Sequence, residues 1–313
     1  MAPLLSICIP AYNRPFWLRR ALESIAVPGY DGSQVEIIIT DDSDDQTVET
    51  IAQEVLKNWS GKWLYEFHES RLGMAQNWNR AISLATGNYV IVLHDDDFLL
   101  SGGLARLLKG IKRLNDRYPV LLFGVWVVDS QEQVMKRQVF KDDRFLAPRE
   151  ALIALFSDSS FVRFPAIAMK RSVFEEVGFF CPEWQEPCDV EMWMRLFACY
   201  GAYCCQEETV AYRVHSQALT MASFNEQTIS ILLNLFEELS LLNLLSEEQL
   251  EQCQQQYFYQ YILAGAWRQL RRRKWQAFKQ VMELLEVPSI KVLVCPRKWW
   301  FLRAIFSLLA DIV

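Results

Sequence analysis

Short apolar runs alternating with amphipathic stretches fill the first third of the chain, and no other feature narrows the fold as much. Leu4-Leu5-Ser6-Ile7-Cys8-Ile9, closed by Pro10, reads as a buried strand. A helix should follow at once: Asn13 can cap it, Pro15 suits its first turn, and Phe16, Trp17, Ala21, Leu22 and Ile25 supply its apolar face. Val35-Glu36-Ile37-Ile38-Ile39 is a second strand, ending in Asp41-Asp42-Ser43-Asp44-Asp45 ahead of an amphipathic stretch over 47–59. A strand–helix–strand–helix opening of this kind calls for parallel strands with helices on both faces. The pattern returns with a strand over 63–67, a helix over 74–86 broken by Gly87, and a central strand Tyr89-Val90-Ile91-Val92-Leu93. A helix near 104–114 and a strand near 120–128 follow, then a mixed region up to about residue 222. From Asn225 onward the spacing is helical, with Ile229, Leu232, Leu233, Phe236 and Leu239 in one set and Tyr257, Tyr261, Leu263 and Trp267 in another. The expected organisation is an α/β unit over 1–222 and a helical C-terminal region over 223–313.

In open α/β sheets, ligands bind beyond the carboxyl ends of the strands. The loops Pro10 to Asn13, Asp41 to Asp45 and His94-Asp95-Asp96-Asp97 converge there. Three consecutive carboxylates after a buried strand raise one another's pKa or demand a cation. Oxygen-rich sites suit Mg²⁺ or Mn²⁺, which are shared with substrate phosphates. Neither Gly-x-Gly-x-x-Gly nor Gly-x-x-x-x-Gly-Lys-Ser/Thr occurs, so metal rather than a glycine-rich loop has to hold any phosphates.

Composition removes other classes. At 313 residues, with 51% hydrophobic and 22% charged residues and only 12 Gly and 11 Pro, the chain is globular rather than disordered. A net charge of −6 excludes a generally basic nucleic-acid binder. Eight cysteines without Cys-x-x-Cys spacing signal neither a zinc site nor a disulfide framework. Met1-Ala2-Pro3 runs into the first strand without a basic leader or cleavage site, which places the chain in the cytoplasm. Charge is unevenly spread: residues 264–313 hold ten Lys/Arg against Glu283, Glu286 and Asp311. Residues 299–313 are almost wholly apolar, too short to span a bilayer, with Arg303, Ser307 and Asp311 on one stripe. Two readings stay open, a helix lying on an anionic membrane face and a helix buried on the body or in an oligomer.

Six segments carry a resemblance. Pro10-Ala11-Tyr12-Asn13, Thr40-Asp41-Asp42-Ser43, Gly73-Met74-Ala75-Gln76-Asn77-Trp78-Asn79, Gly87-Asn88-Tyr89 leading to His94-Asp95-Asp96-Asp97, Asp189-Val190-Glu191-Met192-Trp193 and Tyr212-Arg213-Val214-His215 stand in the order found in family 2 glycosyltransferases. The chain resembles that family over about residues 4–220. The resemblance implies the GT-A fold: a Rossmann-like, mostly parallel central sheet flanked by helices, here with a helical appendage. It also implies an inverting enzyme fed by a nucleoside-diphosphate sugar. Pro10, Tyr12 and Asn13 match the loop on the nucleotide base, Asp41 the carboxylate that meets the base, Asn77 a position lining the nucleotide site and Asp95 the ribose contact. Counted from Gly87, the family's metal-binding Asp falls on Asp96, whereas a plain Asp-x-Asp reading pairs Asp95 with Asp97. Asp96 is preferred, Asp97 is the alternative ligand, and His215 matches a position reaching the metal or the diphosphate. His94 is expected to be a strand-end histidine without a metal role.

The chemistry asks for one base and one electrophile. An acceptor hydroxyl has a pKa far above 7, so a carboxylate must take its proton as the new bond forms, and Asp189 matches the family's base. Capping of a helix by Asp189 is the structural alternative. Glu191 and Trp184 are expected on the acceptor side, the latter as a stacking surface for a sugar ring, with residues 161–169 helping to form that side. A divalent metal, Mn²⁺ or Mg²⁺, would absorb the charge of the leaving diphosphate. The expected partners are a nucleoside-diphosphate sugar, a glycan or lipid-linked acceptor, and a membrane face reached through the tail. Two competing functions use the same carboxylates: a metal-dependent nucleotidyltransferase or phosphatase, and a non-catalytic nucleotide-binding scaffold.

Overall fold

The structure, a computed structural model, describes residues 2–215 and 224–312. In chain order β1 (Leu5–Ala11), α1 (Pro15–Ile25), β2 (Val35–Asp41), α2 (Thr47–Val55), β3 (Lys62–Phe67), α3 (Met74–Ser83) and β4 (Tyr89–Val92) build the first half. There follow β5 (Phe98–Leu99), α4 (Gly103–Arg113), β6 (Val120–Val128), β7 (Val134–Gln138), β8 (Arg144–Leu146), α5 (Pro148–Ser157) and β9 (Ile167–Lys170). The remainder is α6 (Val173–Val177), α7 (Cys188–Tyr200), β10 (Ala202–Arg213), α8 (Glu226–Leu241), α9 (Glu247–Arg271), α10 (Trp275–Glu283), α11 (Pro288–Lys291) and α12 (Arg297–Ile312).

The sheet runs β3-β2-β1-β4-β9-β6-β10-β5, with β7 on β6 and β8 on β10. β3, β2, β1 and β4 are parallel; β9 pairs antiparallel with both β4 and β6, so β6 and its parallel neighbour β10 return to the direction of β1. The carboxyl ends of β1, β2, β4 and β10 thus open on one edge of the sheet. Each face of the sheet is covered. Leu5, Ile7 and Ile9 of β1 pack with α1, α2 and α4, whereas Cys8, Val90 and Val92 face α3, α5 and α7. That two-sided burial is why β1 and β2 are buried at all seven positions and read as largely apolar runs.

A buried carboxylate fastens the parallel core. Glu36 accepts from Ser6 Oγ, from the Thr86 and Gly87 amides and from Thr86 Oγ1, tying β2, β1 and the entry to β4 into one knot. Both oxygens of that carboxylate are met by donors, as burial requires.

The expected boundary near residue 222 lies outside the described residues. Ile229, Leu232 and Phe236 of α8 and Tyr257, Phe258 and Ile262 of α9 belong to the same buried cluster as α5 and α7. One sequence expectation is corrected. Asn13 does not cap α1, whose N-cap is Arg14 without a side-chain cap bond. Asn13 takes a left-handed φ of 53° and exchanges two hydrogen bonds with Asp44, one through each end of its amide. Asn tolerates that conformation, and its side chain is spent joining the loops after β1 and β2.

Candidate active site

A cleft of about 450 Å³ opens at the carboxyl edge of the sheet. Pro10, Tyr12, Asn77, Asp95 and Asp96 line one end, and Asp189 lines it together with Tyr257 and Tyr261. Residues 94 places apart in sequence are brought together because α7 starts at the cleft while β4 ends there.

The short strand β5 positions the acidic pole. Phe98 pairs with Ala211 of β10, which brings the preceding aspartates against the end of β10. Asp97 Oδ1 accepts from the Arg213 amide at 2.8 Å, the Asp96 carbonyl accepts from Arg213 Nε at 2.8 Å, and His215 Nε2 lies 2.8 Å from Asp96 Oδ2. Asp95 turns toward β1, where its Oδ2 accepts from the Tyr12 amide at 2.8 Å. Arg14 bridges Asp95 and Asp96 with bonds of 3.0 and 2.8 Å. Burial and the neighbouring Asp96 charge push the Asp95 and Asp97 carboxyls up. Burial acts the same way on Asp96, but the hydrogen bond from His215 and the charges of His94, Arg14 and His215 outweigh it and hold its carboxyl below the ordinary value. Of the three carboxyls, Asp96 is the one whose contacts favour the charged form.

His94 is a surprise of this geometry. Its ring lies between Trp78, with centroids 5.4 Å apart, and Phe164, at 4.7 Å, and burial brings its pKa down to about 4. A neutral imidazole is the ligating form. One ligand atom each of His94, Asp96 and Asp97 lie within 4.8 Å of one another. His94 Nε2 and Asp97 Oδ2 are buried polar atoms without a hydrogen-bond partner. Orphaned atoms beside a charged carboxylate are what a cation would satisfy, and the residues fit a divalent ion. His94 thus belongs with the candidate ligands, contrary to the sequence expectation.

The other residues singled out by sequence divide into two groups. Asn77 lines the cleft and donates to the Ala11 carbonyl at 3.3 Å. Asp41 is fully buried, with one oxygen accepting from Tyr65 Oη and the other from the Ser43 amide; burial raises its pKa. Its neighbour Asp42 lines the cleft, and both its oxygens accept from amides, those of Leu72 and Gly73. Glu191 is buried in a bidentate pair with Arg195, and Trp184 packs on the apolar cluster beneath α7; neither lines the cleft. Asp189 is the second residue of α7, not its cap, and one oxygen accepts from the Val190 amide at 2.7 Å. Burial pushes its pKa up to about 6. A carboxyl poised there can take a proton near neutrality.

Sequence reasoning passed over Arg14, Arg71 and Arg268, which line the cleft together with Arg163 of the segment expected on the acceptor side. The Arg71 guanidinium lies 3.9 Å from the Tyr12 ring centroid, leaving that ring clamped from one side. Isolated arginines carry no spacing signal, so only the fold gathers them.

Comparison with known proteins follows this geometry. A family model described as "Glycosyl transferase family 2" matches residues 6–178. A beta-1,3-glucosyltransferase of Campylobacter jejuni acting on GalNAc(5)-diNAcBac-PP-undecaprenol is 27% identical over 177 residues, 56% of this chain and 55% of its own length. The chain therefore spans about half of that relative. Among solved structures, S. aureus TarS 1-349 in complex with UDP-GlcNAc superposes with a TM-score of 0.62 at 15% identity, covering 99% of this chain and 88% of that one. The mannosyltransferase PcManGT of Pyrobaculum calidifontis, in complex with GDP-Man and Mn²⁺, gives a TM-score of 0.56 at 14% identity, covering 100% and 87%. These likenesses establish the GT-A fold, in agreement with the α/β class and helical appendage expected from sequence.

Proposed function

The chain belongs to glycosyl transferase family 2, and from that membership we propose an inverting enzyme that moves a sugar from a nucleoside-diphosphate sugar to an acceptor hydroxyl. The observation that carries this reading is the single cleft shared by the aspartates after β4 and by Asp189. Pro10, Tyr12, Asn77 and Asp95 form the nucleotide wall, with Asn13 and Asp41 holding its loops. Asp96, with His94, Asp97 and His215 around it, holds a divalent cation, Mn²⁺ or Mg²⁺. Such an ion supplies Lewis-acid stabilisation of charge on the diphosphate.

Asp189 takes the proton of the acceptor hydroxyl while that oxygen attacks the anomeric carbon from the face opposite the diphosphate, which inverts the configuration. Glu191 works indirectly, because its pair with Arg195 fixes the first turn of α7. Trp184, away from the cleft, packs on the apolar cluster that includes residues of α7. The named glucosyltransferase relative supports a glycan or lipid-linked acceptor and a place in cell-surface polysaccharide assembly. No helix among the described residues is long and apolar enough to cross a membrane. The exposed apolar side of α12 supports peripheral contact with the inner face of a membrane from the cytoplasm.

Melting temperatures of the full chain with UDP or GDP, each with and without Mn²⁺, test the nucleotide pole. Tight ligands raise apparent stability by mass action, about 2.7 kcal/mol at a concentration 100 times the dissociation constant. The expected result is stabilisation that requires both nucleotide and metal and disappears in Asp96→Ala. Equal stabilisation without metal would count against the site. Turnover should release free nucleoside diphosphate when acceptor is added; release of pyrophosphate or orthophosphate would instead favour nucleotidyl transfer or phosphatase chemistry.

A further inference from the structure

Beyond Asp189 the cleft continues along the C-terminal helices, which contribute Leu232, Tyr257, Tyr261, Ala264 and Arg268. Arg163, in the segment before β9, faces the same space. The two guanidiniums are unlike the arginines of the acidic pole. There, Arg14 is paired with Asp95 and Asp96, and Arg213 with Glu132. Among the described residues, Arg163 makes a 3.3 Å bond from Nε to Gln138 and lies 5.1 Å from the Tyr212 ring centroid. Arg268 lies 5.5 Å from the Phe224 ring centroid. Among the described residues neither has a carboxylate within ion-pair distance, although Glu186 and Asp189 line the same end of the cleft. Burial lowers the pKa of Arg268, and the charge of Arg163 works in the same direction.

Two half-buried cations that feel each other and lack a counter-ion are costly in a protein of net charge −6, which has acids to spare. An anion between them removes that cost. The planar, forked guanidinium matches the oxygens of a phosphate, and a pair of them can hold one from two sides. We propose that Arg163 and Arg268 form a phosphate-binding subsite at the Asp189 end of the cleft, separate from the acidic pole. The apolar surroundings, Phe224, Leu232, Tyr257 and Ala264, suit a phosphate carried on an organic group. That phosphate arrives on one of two molecules: the nucleoside diphosphate, or an acceptor that itself bears a phosphate. The second assignment rests on the acceptor reading of the Asp189 end; the subsite itself does not.

Isothermal titration of the full chain with UDP plus Mn²⁺ and, separately, with farnesyl phosphate distinguishes the sources, with farnesol as the uncharged control. In R163Q/R268Q at least one phosphate probe is expected to weaken about tenfold or more, as loss of charge-assisted bonds to one anion implies. Weakening of UDP alone assigns the subsite to the departing diphosphate, and weakening of farnesyl phosphate alone assigns it to a phosphate-bearing acceptor. R163K/R268K should recover part of the lost affinity, and unchanged melting temperatures exclude a collapsed cleft. Affinities within about twofold of the unaltered protein for both probes, farnesol weakened as much as its phosphate, or no binding of either probe by the unaltered protein would each overturn the proposal. Asp96→Ala separates the two readings: loss of UDP binding with farnesyl phosphate binding retained leaves the arginine subsite standing. An unaltered protein that takes farnesyl phosphate but no UDP sinks the donor reading, while the prenyl arm still decides the subsite.

Discussion

The Asp189 carboxyl sits in the first turn of α7 with its pKa raised to about 6, chiefly by burial. Above its ordinary value of 3.8 and below about 6, the folded protein holds a proton that the unfolded chain has released. Stability therefore falls as pH rises through that window and stays reduced above it. Asp189→Asn removes the cost of the buried charge, so at pH 7.5 it should stabilise the fold by up to about 3 kcal/mol, with no gain below pH 4. Melting curves at the two pH values check this. The same substitution removes the base, and turnover should fall by about 10²–10⁴. In the unaltered enzyme the rate of nucleoside-diphosphate release should climb with pH around a midpoint near 6, as the carboxylate form accumulates; a flat profile from 5 to 8 would remove Asp189 from the role. Single residues were only partly legible in the sequence. Asp41 and Asp42 illustrate why: successive residues at the end of a strand point to opposite sides, so an acidic pair announces a site without saying which carboxyl faces it. Here Asp42 meets the cleft and Asp41 the Tyr65 hydroxyl.

Elements with a single dominant periodicity were readable. β1, β2 and β4 are mostly apolar runs and lie where the sequence puts them. β10 was missed because Gln206-Glu207-Glu208 breaks its pattern, and the structure resolves the conflict with register shifts between Cys204 and Val210. The helix expected over 74–86 stops at Ser83 for a tertiary reason. Thr86 and Gly87 are drawn into the Glu36 knot, which no local propensity encodes. Gly87 leaves no room there: an added Cβ would lie 2.6 Å from Ser6 Oγ and 2.8 Å from the Ser6 amide nitrogen. Since part of the obstacle is backbone, Gly87→Ala must push β1 and β4 apart. It should cost about 1–3 kcal/mol, read as a lower denaturation midpoint with an unchanged slope. A neutral result would mean that the knot is slack.

At the scale of the whole molecule, the helical C-terminal region shares a buried core with the α/β part of the chain. α8 and α9 bury their apolar faces with α5 and α7, so the helical region closes the cleft rather than hanging from it. A composition shift near residue 222 could not convey this, because shared burial depends on contacts between distant segments. α12 is different. It buries Phe306 and Ala310 and ties Arg303 to the Tyr259 hydroxyl, yet Trp300 and Phe301 remain 72% and 77% exposed, and Leu308 and Ile312 extend the same apolar side. Arg297 and Lys298 begin this helix and are exposed beside those aromatics. One face of the tail helix is thus packed on the body, as one of the two sequence readings expects, and for the other, exposed face we propose contact with anionic lipid on the ground of its aromatic and basic make-up. Each basic residue near such a surface contributes about 1 kcal/mol. R297Q/K298Q should therefore weaken binding to phosphatidylglycerol vesicles by about 2 kcal/mol, roughly thirtyfold, and the difference should shrink as salt shortens the screening length. Trp300→Ser/Phe301→Ser should weaken binding at high salt as well, since the loss is of apolar area rather than charge. Co-sedimentation of the full chain with these vesicles reads both effects, and recovery of the unaltered protein wholly in the supernatant at low salt would leave α12 without a membrane role.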